Sequence, residues 1–144
     1  MKLMVGNMMD VFPSVDHFIV CVGSNVKGKT GELLMPDGLY KAMCETHPQL
    51  PAQVGAWIRE QDCDGGIFGL KCTSKLGLFQ STIVLADRPA LGVISLSAKM
   101  LKAMAELRPE KTFALEAPNA NEPWFLVEGI MQTLPDNVQV WRPE

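Results

Sequence analysis

His17 is followed by five apolar residues in a row, Phe18-Ile19-Val20-Cys21-Val22. A strand with one wet face alternates apolar and polar side chains, and this run does not. It suits a strand buried on both faces, as in a parallel sheet held between two layers of helix.

The rest of the chain supplies the other elements. Leu3-Met4-Val5 predicts a short first strand, closed by Gly6-Asn7. A polar, Gly-rich loop over 23–31 follows the long strand. Then the period changes: Leu39, Ala42 and Met43 share one side of a helix that ends before Pro48. A second helix over 51–61 places Val54, Trp57 and Ile58 on one face. Its Pro51 falls in the first turn, where backbone N–H groups lack partners in any case. Gly65-Gly66 breaks the chain. Residues 67–72 and 76–82 read as two strands at hairpin-like spacing, and 83–91 are ambiguous. The strongest helix spans 93–107, with Val93, Leu96, Met100, Leu101, Met104 and Leu107 as its apolar stripe and Pro109 as its stop. A buried strand at 112–115, a polar loop at 118–124, a short helix at 125–133 and a last strand at 138–141 complete the order. Alternating strands and helices predict an α/β fold, a mixed sheet flanked by helices. No repeat, linker or low-complexity tract divides it, so one domain is expected over residues 1–144.

Composition excludes several functions. At 144 residues, 47% hydrophobic and 20% charged, the chain can bury a core and lacks the signature of disorder. Thirteen basic against sixteen acidic side chains give a net charge of -3. A protein that grips many phosphates would be basic, so nucleic acid is not an expected partner. No apolar run approaches the roughly 20 residues of a membrane span. The first residues read as a strand rather than a secretion signal, and a cytoplasmic location is expected. Cys21, Cys44, Cys63 and Cys72 include no C-x-x-C pair, which leaves no zinc ribbon or redox motif. Reduced, buried thiols are the simpler reading. No metal or cofactor is called for.

Gly6-Asn7-Met8-Met9 after the first strand, Leu34-Met35-Pro36-Asp37-Gly38 before a helix, Thr46-His47-Pro48-Gln49-Leu50-Pro51 at its end and Gly77-Leu78-Phe79-Gln80 in a strand follow one another in the chain. In that order they resemble the macro domain, the ADP-ribose-binding α/β fold, in a form found in bacteriophages and bacteria. Gly6-Asn7-Met8-Met9 is similar to that family's Gly-Asp/Asn-Leu-Leu turn after the first strand. Leu34-Met35-Pro36-Asp37-Gly38 opens a helix where the family reads V-M-G-x-G, and Thr46-His47-Pro48-Gln49-Leu50-Pro51 closes it near the family's F-P-x-L. Gly77-Leu78-Phe79-Gln80 is similar to the strand G-L-F-Q/P, with Ile94 and Ser97 on the helix that follows. Strand, Pro-led loop, short helix, Leu134-Pro135-Asp136-Asn137-Val138 and final strand then succeed one another as in the family.

The resemblance implies a ligand of the ADP-ribose type, held at the carboxyl ends of strands. Two Gly-rich loops would cradle its diphosphate with backbone N–H groups. By this likeness Asn7 reads the adenine amino group, for which an amide has both donor and acceptor. The Asn that touches the distal ribose falls on Ser24 or Asn25, and Asn25 is the catalytic candidate. Gly31 also frames the cleft. The first phosphate loop falls on Met35-Pro36-Asp37-Gly38, with Met35, Asp37 and Gly38 as ligand-binding positions. Pro118, Asn119, Asn121 and Trp124 frame the second. Active members hydrolyse phosphate or protein esters from the distal ribose, so an active protein would be an ADP-ribosyl ester or ADP-ribose phosphate hydrolase.

Both phosphate loops depart from the pattern. The first keeps only Gly38, while Pro36 removes a donor and Asp37 adds a negative charge. In place of P-G-x-G-N-G-G-L the second reads Pro118-Asn119-Ala120-Asn121-Glu122-Pro123-Trp124-Phe125, with every glycine gone. Asn119 and Asn121 tolerate positive φ and are expected to keep part of the turn. Two readings follow. In one the domain recognises an ADP-ribose-like nucleotide or a related ligand, with catalysis lost or altered. In the other a non-enzymatic phage protein uses the scaffold to bind a host protein or a second copy of itself, in the host cytoplasm.

Other residues have plainer explanations. His17 and His47 lack a neighbouring nucleophile, and His47 suits a helix C-terminus. Lys27 and Lys29 are not a Walker motif. Asp62 and Asp64 match no calcium loop. The methionines Met8, Met9, Met35, Met43, Met100, Met104 and Met131 are expected to fill core gaps. Trp57, Trp124 and Trp141 are expected as core or interface anchors, with Trp124 placed to roof a pocket.

Overall fold

A computed structural model describes residues 1–24, 32, 38–61, 66–83 and 89–144. The described elements run β1 (Lys2–Val5), a short 3-10 helix (Met8–Val11), β2 (His17–Val22), α1 (Leu39–Thr46), α2 (Leu50–Gln61), β3 (Leu70–Lys71), β4 (Leu76–Gln80), α3 (Leu91–Leu107), β5 (Phe113–Glu116), α4 (Phe125–Met131) and β6 (Val138–Arg142). They form a six-stranded sheet ordered β1-β6-β5-β2-β4-β3. All neighbours pair parallel except β3, which runs antiparallel to β4 with Leu70 opposite Phe79. The sheet is mixed and flanked by helices, as the alternation of elements predicts.

Alternation along each strand separates two cores. Ile19, Phe79, Phe113, Leu115, Val138 and Val140 pack with α3 and α4. Phe18, Val20, Val22, Leu78 and Ala114 face Tyr40, Met43, Cys44 and Val54 of α1 and α2. The unbroken apolar run in β2 thus has a partner layer on each side. His17 is a core histidine: its Nδ1 donates to the Ser74 carbonyl at 2.8 Å, and its ring stacks on Phe113 at 4.8 Å.

Three sequence expectations need correction. The hairpin-like pair is shorter than 67–72 and 76–82, because Gly66 and Gly69 take positive φ and hold the stretch before β3 out of the ladder. Helix α3 begins at Leu91 and buries Val93, Ile94, Ser97, Ala98, Leu101 and Ala105. Of the stripe read from large apolar residues, Leu96, Met100 and Leu107 stand 43%, 38% and 82% exposed. Close approach of a helix to a sheet needs small side chains, so Ser97, Ala98 and Ala105 take positions that a count of large apolar residues misses. Met100 is therefore not a core plug, whereas Met8, Met43 and Met131 are buried.

Two buried polar side chains join these parts. Gln80, the last residue of β4, accepts from Phe68 N (2.8 Å) and Gly69 N (3.0 Å) through Oε1, and donates through Nε2 to the Gly66 and Thr82 carbonyls. Ser97 Oγ lies within 3.0 Å of the Gly69, Gln80 and Val93 carbonyls and donates among them. Asn137 Nδ2 reaches the Ala105, Arg108 and Lys111 carbonyls, each at 3.1 Å, and closes the end of α3.

Candidate functional site

Five parallel strands point their carboxyl ends to one side of the sheet, where open α/β folds place ligands. There a cleft of about 540 Å³ is lined by Gly6, Asn7, Met8 and Asp10 after β1, Gly38 and Leu39 at the start of α1, Glu116 at the end of β5, and Trp141, Pro143 and Glu144 at the end of β6.

Local chemistry shapes each wall. Gly6 has φ of 140°, a conformation that favours glycine. Asn7 caps the 3-10 helix, its Oδ1 accepting from Met9 N at 3.0 Å. Gly38 has φ of 115° and precedes the first residue of α1. A Cβ on Gly38 would stand 3.1 Å from Glu116 Oε2. The missing side chain is what lets the carboxylate reach the helix.

Glu116 fills a gap in the sheet. The β5–β2 pairing runs from His17 opposite Phe113 to Ile19 opposite Leu115. Beyond it the β5–β2 ladder ends, while β5 stays with β6, Ala117 N donating to the Trp141 carbonyl. The carboxylate then takes over the exposed edge of β2: Oε1 accepts from Cys21 N at 2.8 Å, and Oε2 receives a longer contact from Leu39 N at 3.4 Å. Burial raises the Glu116 carboxyl above the usual carboxylate range, although these two N–H groups pull the other way. Burial, and then the same carboxylate, push the neighbouring Cys21 thiol well above its ordinary range. That thiol donates to the Glu116 carbonyl at 3.2 Å, so it is held protonated and is a poor nucleophile.

The electrostatics are one-sided. Asp10, Glu116 and Glu144 line the cleft, with no lysine or arginine among its described lining residues. The nearest cation in sequence, Arg142, lies over the Trp124 ring at 5.1 Å. At an effective dielectric near 20, a second anion about 4 Å from a carboxylate costs about 4 kcal/mol, close to a thousandfold in affinity.

The predicted site residues do not all meet. Asn7 and Gly38 line the cleft. Ser24 does not: its N–H donates to the Ile83 carbonyl, and its hydroxyl lies against Gly66. Asn119 lines a separate hollow of about 120 Å³ with Pro89, Leu91, Glu122, Leu126 and Val127. Pro118 is buried, Asn121 is exposed, and neither lines the cleft. Asn25, Gly31, Met35, Pro36 and Asp37 lie outside the described residues, as do Lys27, Lys29, Asp62, Cys63 and Asp64.

The second loop closes on itself. Glu122 N donates to the Asn119 carbonyl at 2.8 Å, and Asn119 Nδ2 returns a bond to the Glu122 carbonyl at 2.7 Å. The positive φ expected of an asparagine belongs instead to Ala120, at 48°. Asn119 holds the turn through its side chain and its carbonyl, without a positive φ of its own. Trp124 does not roof the cleft; it packs on the α3–α4 core and carries Arg142.

Sequence reasoning did not single out Glu116, nor the other two acids of the cleft, Asp10 and Glu144. The only signal of Glu116 was a carboxylate ending the buried run Phe113-Ala114-Leu115. Among the described residues, no group of three His, Cys, Asp or Glu is placed to hold a metal ion, and no helix is long and apolar enough to cross a membrane.

No protein-family model and no curated protein matches the sequence. Solved structures do match the fold. The macrodomain of Thermus aquaticus DarG is similar at TM-score 0.69 and 18% identity, over 99% of this chain and 97% of that one. Thermosipho africanus DarTG in complex with ADP-ribose is similar at TM-score 0.71 and 14% identity; the match covers 99% of this chain but 42% of that one. The macrodomain of Mycobacterium tuberculosis DarG follows at TM-score 0.65 and 14% identity, over 99% of each chain. With TM-scores of 0.65 to 0.71 over 99% of its length, the chain has the macrodomain fold.

Proposed function

We propose that the cleft recognises an ADP-ribose-like nucleotide or a related nucleoside-bearing ligand, and does so without turnover. One observation carries this reading: Asn7 and the amide end of α1 meet in one cleft at the carboxyl ends of β1, β5 and β6. The fold is shared with a protein held with ADP-ribose, which supports the ligand class. The closed 118–124 turn and the protonated Cys21 thiol support the loss of chemistry. Calorimetry with ADP-ribose, AMP and adenosine tests it. Binding of any of these, with no release of ribose esters or phosphate, is the expected result. Silence for all of them up to millimolar ligand would end the reading. Turnover that disappears in Asn25→Ala at unchanged stability would restore the hydrolase.

A second reading, docking of a protein partner or a second copy, has its own observation. Phe125, Leu91 and Leu126 are 71%, 45% and 39% exposed, and the two leucines line the smaller hollow. Light scattering over a concentration series checks self-association, and Phe125→Ser should abolish it.

A further inference from the structure

We infer that Glu116 is a specificity-determining residue: it places a carboxylate of the chain itself at the amide end of α1, so that the cleft selects an uncharged nucleoside over its phosphorylated forms. The inference rests on the proposed nucleoside reading of the cleft and names which member of that class it takes.

Four observations lead there. An N–H of the first turn of α1, on Leu39, already faces Glu116 Oε2, and Gly38 leaves the space for that approach. Such N–H groups would otherwise be open to a ligand anion. Oε1 is anchored on Cys21 N of the neighbouring strand, so the carboxylate is tied to the sheet. Asp10 and Glu144 add negative charge to the same walls, and the adjacent Arg142 is engaged by Trp124. Among the described lining residues, what remains for a ligand is apolar surface from Met8, Leu39 and Trp141, the Asn7 amide, and carboxylate lone pairs. A carboxylate offers about four acceptor sites, and the two backbone N–H groups leave the rest for ligand donors. A nucleoside supplies such donors in its hydroxyl and amino groups, together with a flat apolar base. A phosphate brings only acceptors and charge.

The experiment compares adenosine, AMP and ADP-ribose by calorimetry on the wild-type chain, Glu116→Gln and Glu116→Ala, each shown to be folded by a thermal melt. The wild type should bind adenosine at least about tenfold tighter than either phosphorylated ligand, a difference of about 1.4 kcal/mol. Both variants should shrink that ratio by at least about tenfold, chiefly through gained affinity for AMP and ADP-ribose. A wild type that binds ADP-ribose as tightly as adenosine overturns the inference while leaving the nucleoside reading intact. So does an unchanged ratio in folded variants. If no ligand binds any folded form, the nucleoside reading fails and takes the inference with it. Should neither variant fold, the wild-type ratio decides alone.

Discussion

A carboxyl raised by burial ties the Glu116 side chain to stability as well as to the cleft. Its folded-state pKa lies above the unfolded value, so the contribution is fully present below the unfolded pKa. It is lost as pH rises through the raised folded pKa. Thermal melts of wild type and Glu116→Gln should therefore diverge in favour of the variant between the acid side of the carboxylate range and neutrality. A gap that stays flat or narrows with rising pH would show that the two N–H bonds outweigh desolvation. Gln80 is the opposite case, a buried polar side chain with bonds from both ends of its amide. Gln80→Leu would take this partner from two N–H groups and two carbonyls. Each buried group left unpaired costs about 1–3 kcal/mol, so denaturant melts should show a loss of at least about 2 kcal/mol. A loss under about half that would mean water takes over the bonds.

For single elements, α3 separates periodicity from burial. Leu101 is fully buried, and Leu101→Ala should cost about 2–5 kcal/mol in chemical denaturation. Leu107 belongs to the same apolar stripe by sequence but is 82% exposed. Leu107→Ala should change stability by less than about 0.5 kcal/mol. Equal losses at the two sites would contradict the face assigned to the helix. The 118–124 turn allows a test in the other direction. Ala120 has φ of 48°, where a side chain costs about 1–2 kcal/mol. Part of that relief is offset by the larger unfolded-state entropy of glycine, so Ala120→Gly should raise stability by up to about 1 kcal/mol. A lower melting temperature would mean the turn is held by contacts of the Ala120 methyl.

On the scale of the molecule, the sheet runs from an exposed edge to a covered centre and back to a short edge. In β1, Leu3 and Val5 are 43% and 62% exposed, and β3 has two residues. Strands β2 and β5 lie between both helical layers and are almost wholly buried. Amide hydrogen exchange should accordingly be slowest in β2 and β5 and fastest among the strands in β1 and β3. Uniform protection across the sheet would mean that it opens only by global unfolding.

The layered α/β architecture was legible because it depends on runs and periods within one segment. Phe18 to Val22 had to be covered on two faces wherever the chain placed it. Asn7 and Gly38 were legible in the site for the same reason: capping and turn chemistry act over two or three residues. The face of α3 was not, since alanine and serine become core residues only when a sheet comes close enough to need them. Glu116 was further out of reach. As a sequence it is one acid after three apolar residues. It becomes the floor of a cleft because β5 lies beside β2 and stops short of it, while Gly38 brings the end of α1 within reach. Segments distant along the chain meet there, and the cost of leaving a strand N–H and a buried carboxylate unpaired, felt only once they meet, makes them partners.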